Sequence, residues 1–118
     1  MFFDASQRGR PVHAVAFAQP VLAAPEQAGA HVYHLFVLCC ARRDALQAHL
    51  KSHGVQALIH YPIPVHHQVP CQGLARDPQG LMACERHALD CLSLPCHPQL
   101  SDAQVATVID AVNSFRAA

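Results

Sequence analysis

One stretch restricts this chain more than any other. Residues 32–40 read VYHLFVLCC, nine positions rich in β-branched and aromatic side chains and apolar on both faces except at His34. Such a run suits a strand covered on both sides, because an alternating pattern is what a half-solvated strand would show. The spacing therefore predicts a central strand here, and the rest of the chain must supply the layers that cover it.

The segments downstream of Cys40 supply them in order. RRDALQAHLKSHG places Leu46 and Leu50 four residues apart, Asp44 in the first turn where the macrodipole favours an anion, and Gly54 where a left-handed residue ends a helix. VQALIHY resumes β character until Pro62 and Pro64 stop it, since proline cannot donate to a ladder. After a turn-rich stretch from Gln72 to Gly80, Leu81, Cys84 and Ala88 form an i, i+3, i+7 stripe joined by Leu89, and CLSLP reads as a short strand. SDAQVATVIDAVNSF is the most fully specified helix. Ser101 and Gln104 make a capping box, Leu100 and Val105 a hydrophobic staple, and Val105, Val108, Ile109 and Val112 a buried stripe.

Strand, helix, strand, connection, helix, strand, helix is the order of a two-layer α/β (α+β) sandwich with a small three-stranded sheet and about three helices. The pairing order of the strands stays open. Residues 1–30 carry Pro11, Pro20 and Pro25 without sustained periodicity. Residues 1–19 are expected to be a weakly ordered arm, and residues 20–118 the folded domain.

A length of 118 residues suits one domain with one modest core. Eight basic and eight acidic residues cancel, which removes the electrostatic footprint of a nucleic-acid binder. The longest apolar stretch is about a third of the ~20 residues a membrane span requires, and MFFDASQRGR puts charges where a signal peptide has its apolar segment. No nucleic acid, no membrane and a cytoplasmic location are the expectations. Six cysteines without an export signal read as reduced thiols, with Cys39, Cys84 and Cys91 at apolar-pattern positions.

The densest group of polar residues is HYPIPVHHQ. His60 and Tyr61 close a strand, two prolines stiffen the backbone, and His66, His67 and Gln68 come next, so polar side chains stand on a loop of low conformational entropy. The residues alone fit either a ligand-contacting loop or a histidine-rich surface turn. His34 fits a core histidine with satisfied ring nitrogens, or a ligand group. No four-ligand zinc spacing can be written from the six cysteines and ten histidines; His49 and His53 share a helical face but lack the glutamate of a zincin helix. No metal ligands and no catalytic nucleophile are assigned, for no G-x-S-x-G elbow or Gly-rich phosphate loop occurs.

At HVYHLFVL, RRDALQAHL, HYPIPVHHQ, CERHALDCLSLPCHPQLSDAQV and VIDAV, from about Pro20 onward, the sequence resembles the C-terminal small domain of the DegT/DnrJ/StrS family of pyridoxal-phosphate-dependent sugar aminotransferases. The resemblance implies a fold-type I homodimeric enzyme that moves an amino group, usually from glutamate, onto a keto-sugar attached to a nucleotide. It implies that a large domain, or a separate chain carrying it, holds the pyridoxal phosphate and the Schiff-base lysine, while the small domain covers the cofactor cleft. On that resemblance His60 and Tyr61 contact the sugar or phosphate, His66 shapes the entrance, and His34 matches a histidine near the cleft.

This chain departs from the family at Cys71 and Gln72, and at Cys39, Cys40 and Cys96. Its single lysine, Lys51, falls late in an amphipathic helix where side chains ordinarily face solvent. The chain is therefore expected to hold no cofactor itself and not to transaminate alone, as a truncated product or as one half of a split enzyme. Two other readings stand beside it: a module that self-associates through the face a large domain would cover, and a histidine- and cysteine-dependent metal module.

Overall fold

The computed structural model of the chain describes residues 34–115, and the expected N-terminal arm lies outside them. Within that span the order is strand β1 (Phe36–Cys39), helix α1 (Arg43–Ser52), two short 3-10 turns (Val65–His67 and Val69–Cys71), helix α2 (Met82–Asp90), strand β2 (Cys91–Leu94) and helix α3 (Asp102–Ser114). The sheet pairs β1 with β2 antiparallel, from Phe36 opposite Leu94 to Cys39 opposite Cys91. The expected small α/β fold with three helices is present.

The third strand contracts to a single bridge. Leu58 exchanges both backbone hydrogen bonds with Ser93, at 3.0 and 2.7 Å, on the side of β2 away from β1. Its neighbours are committed elsewhere: the Val55 N–H donates to the Leu50 carbonyl at 2.9 Å, and the Ala57 carbonyl accepts from Gln47 Nε2 at 2.9 Å. With Pro62 next to remove a donor, one residue is all that VQALIHY contributes.

This corrects the expected layout of the sheet. Among the described residues it is β2, not the 32–40 run, that lies in the middle, and all four of its residues are buried. β1 occupies the outer position and is only half-buried at Phe36 and Val37.

Period-two alternation divides the sheet into two unlike faces. Leu38, Leu92 and Leu94 join Leu46 and Leu50 of α1 and Val108, Ala111 and Val112 of α3 in one apolar core. Three local devices hold the helices there. Gly54 has φ +75° and forms a Schellman ending, its N–H donating to Lys51 and that of Val55 to Leu50, with Leu50 and Val55 both in the core. Ser101 and Gln104 form the predicted capping box, the Ser101 N–H donating to Gln104 Oε1 at 2.9 Å and the Gln104 N–H to Ser101 Oγ at 3.3 Å. His49 of α1 reaches across to α3, its Nε2 lying 3.0 Å from both the Ala111 carbonyl and Ser114 Oγ.

The predicted stripe of α3 is buried as expected, with Ala111 added. That of α2 is not. Ala88 is buried, but Cys84 and Leu89 are exposed, so the expectation of a core or near-core Cys84 is corrected. Leu81 and Cys84 face an open groove instead of the core.

A histidine-lined groove as candidate functional site

The second face of the sheet, carrying Cys39, Cys91 and Ser93, is buried beneath polar groups. Ser93 Oγ lies 2.9 Å from His60 Nδ1, and the Cys91 thiol donates to the His60 carbonyl at 3.7 Å. β2 thereby fixes both the ring and the backbone of His60 at the point where the chain leaves the sheet; the His60–Tyr61 peptide is cis. With Nδ1 engaged by Ser93, Nε2 is the ring nitrogen left for a ligand.

After Tyr61 the chain bends at Pro62 and Ile63, passes through Pro64 at φ −57° and ψ 148°, and then folds into the two 3-10 turns. Backbone bonds from His67 to Pro64 (2.9 Å), Gln68 to Val65 (3.1 Å) and Cys71 to Gln68 (2.9 Å) hold this shape without regular secondary structure. α2 stands opposite. His66 Nε2 lies 3.1 Å from Glu85 Oε1 and His67 Nε2 lies 3.4 Å from the same oxygen, which ties the loop to the helix.

Between loop and helix lies a groove of about 800 Å³ lined by His60, Tyr61, His66, Arg76, Leu81, Cys84 and His87, among others. That volume is of the size that takes a drug-sized molecule. The three substrate-binding residues named from the sequence, His60, Tyr61 and His66, thus come together on one surface. His34 does not join them: it is exposed, precedes β1 and is absent from the groove lining, so the core-histidine reading does not hold for it.

Two further groups on the wall gave no sequence signal. Arg76 lies in the turn-rich stretch before α2 and brings a permanent positive charge with planar donors, the usual partner of a phosphate. His87 is held from behind by β1, its Nδ1 lying 3.6 Å from Cys39 Sγ. Burial, reinforced by the neighbouring Cys91 and Asp90, pushes the Cys39 thiol above its ordinary value, which favours the protonated thiol beside that nitrogen. Burial likewise raises Cys40 and Cys91. These thiols are packing and hydrogen-bonding groups rather than nucleophiles, and no disulfide joins any of the six cysteines.

The frame around the groove is fixed by charge. The Arg43 guanidinium donates to the Ala88 carbonyl at 2.8 Å, joining the start of α1 to α2. Asp90, buried at the end of α2, is paired with Arg86 one turn earlier.

Residues 12–113 match the DegT/DnrJ/EryC1/StrS aminotransferase family. The chain belongs to this family. Among its relatives is dTDP-3-amino-3,4,6-trideoxy-alpha-D-glucose transaminase from Streptomyces venezuelae, 42% identical over 84 residues that cover 71% of this chain and 22% of that enzyme. Among solved structures, S. venezuelae DesV in complex with a ketimine intermediate superimposes with a TM-score of 0.67 at 40% identity, covering 78% of this chain and 24% of DesV. A DegT/DnrJ/EryC1/StrS aminotransferase from Brucella abortus superimposes with a TM-score of 0.66 at 32% identity, covering 69% of this chain and 22% of that one.

The chain thus spans about a fifth to a quarter of the relatives it matches. The family match starts at residue 12, upstream of the motifs that begin near Pro20. Among the described residues the groove does not fit the family's cofactor. Lys51, the single lysine, is exposed on α1 and is not part of the groove wall, so no amine stands there to condense with the pyridoxal aldehyde. No described helix is long and apolar enough to cross a membrane.

Proposed function

We propose that this chain forms the C-terminal part of a pyridoxal-phosphate-dependent sugar-nucleotide aminotransferase, covering the cofactor cleft and contacting the nucleotide-sugar through the groove. The observation that carries the reading is the convergence of His60, Tyr61 and His66 on one groove, in a chain whose relatives include a transaminase of a dTDP-linked sugar. His60 Nε2 serves as a hydrogen-bonding group to a sugar hydroxyl or phosphate oxygen. Tyr61 offers a ring face and a hydroxyl, and Arg76 offers charge to the diphosphate. His66, held by Glu85, shapes the entrance.

In this reading the cofactor and its lysine come from a large domain, in the same longer polypeptide or in a separate one, and this chain alone does not transaminate. Val69 and Met82, close in sequence to the groove-lining Cys71 and Leu81, support a covering partner: they are 77% and 76% exposed, and apolar surface is stabilised by removal from water. Titration of the full chain with dTDP-glucose, followed by amide shifts, tests the groove. Shifts concentrated at residues 60–76 and His87 are expected; shifts confined to α1 and α3 would contradict it.

The same exposed apolar residues favour one other reading, in which the chain self-associates through this face. Sedimentation separates the two: a clean monomer at high micromolar concentration contradicts self-association and leaves the face to a large domain.

A further inference from the structure

The cluster at the mouth of the groove gathers three side chains that can ligate a metal ion. His66 and His67 are adjacent in sequence and, in an extended strand, would point to opposite faces. The 3-10 turn Val65–His67 instead brings their rings to 4.3 Å with planes 62° apart, and both Nε2 atoms converge on Glu85 Oε1 at 3.1 and 3.4 Å. One potential ligand atom from each of the three residues lies within 4.8 Å of the other two. Metal–ligand distances of about 2.0–2.1 Å in a tetrahedron place neighbouring ligand atoms about 3.3 Å apart, which is the spacing seen here from each imidazole to the carboxylate.

We propose that His66, His67 and Glu85 form a binding site for a divalent transition-metal ion of the zinc class. Two imidazoles and one carboxylate are the ligand set of several three-residue zinc sites, which leave a fourth position to water or to an oxygen of a bound molecule. Two of the ligands come from a loop and the third from α2. His66 and Glu85 are 19 residues apart, so the ion cross-links two segments held together at that point by these side chains. His66 is nearly buried, while His67 and Glu85 are 49% and 45% exposed, which gives an ion a path in. The bound ion fixes the loop to α2 and so holds the width of the groove.

The inference does not rest on the aminotransferase reading, and its test uses metal alone. Tag-free, chelator-treated full chain is titrated under reducing conditions with Zn²⁺ and, for spectroscopy, with Co²⁺. One equivalent is expected to bind, without sulfur-to-cobalt charge-transfer absorption. His67→Ala and Glu85→Gln should each weaken binding at least tenfold, while a His49→Ala/His53→Ala double variant leaves it unchanged.

Co²⁺-induced shifts of ring protons in the unaltered chain give a readout that does not depend on any variant folding. They should fall on His66 and His67 and spare His49 and His53. Absence of stoichiometric binding, a thiolate charge-transfer band, unaltered affinity in both single variants, or shifts centred on His49 and His53 would each overturn the proposal.

Discussion

On one face of the β1–β2 pair stand Leu38, Leu92 and Leu94, members of the apolar core; on the other stand Cys39, Cys91 and Ser93, each hydrogen-bonded to a histidine that lines the groove. The two sets alternate along the same eight residues and are equally out of reach of water. The difference lies in what each burial does. The leucines are held by non-directional packing that any well-filled core provides, whereas the second face uses directional bonds that orient His60 and His87. One face holds the fold together and the other sets the geometry of the site.

The largest expected effect tests the first half of that contrast. Leu92→Ala opens a cavity at the centre of the core and should cost about 2–5 kcal/mol in urea denaturation, on the order of other buried leucine truncations. A loss under about 0.5 kcal/mol, the range of ordinary surface substitutions, would break the comparison. Ser93→Ala probes the opposite face: losing its bond to His60 should cost about 1 kcal/mol of stability while weakening dTDP-glucose binding about tenfold. Equal affinity before and after would show that Ser93 does not position His60. Ser101→Ala, remote from the groove, should cost about 1 kcal/mol through its helix cap and leave that affinity alone.

The buried thiols sharpen the contrast through pH. Burial holds Cys39, Cys40 and Cys91 above their ordinary value of 9.0, so the folded chain retains these protons more tightly than the unfolded one. Their contribution is complete below pH 9 and is lost as pH rises through the folded values. A melting temperature that falls steadily above pH 9 is expected, and one that rises there would contradict it. In native protein at neutral pH, alkylation followed by mass spectrometry should modify the exposed Cys84 first and Cys39, Cys40 and Cys91 only on unfolding.

What the sequence disclosed depended on the range of the interactions. The cap of α3, the left-handed Gly54 and the stripe Val105, Val108, Ile109 and Val112 are set by residues within a few positions of one another, and each stands where the pattern put it. The middle place of β2 was hidden because CLSL is short; the 32–40 run, longer and more apolar, looked more like a centre.

VQALIHY carries strand-like residues, but its backbone groups are captured by Leu50 and Gln47, which local propensity does not register. The apolar side of α2 at Leu81 and Cys84 looked like core because periodicity cannot tell a covered face from one that lines a groove. In the site, HYPIPVHHQ was recognisable as a unit. Arg76, His87 and Glu85 were not, since only the folding of α2 back onto the loop brings them to it.

The central claim is that the exposed groove residues serve ligand binding rather than the fold, and Tyr61 tests it most directly because it is 68% exposed. Tyr61→Ala in the full chain should leave urea stability within about 0.5 kcal/mol of the unaltered protein and lower dTDP-glucose affinity about tenfold or more. Unchanged affinity, or a stability loss comparable to that of Leu92→Ala, would contradict the account.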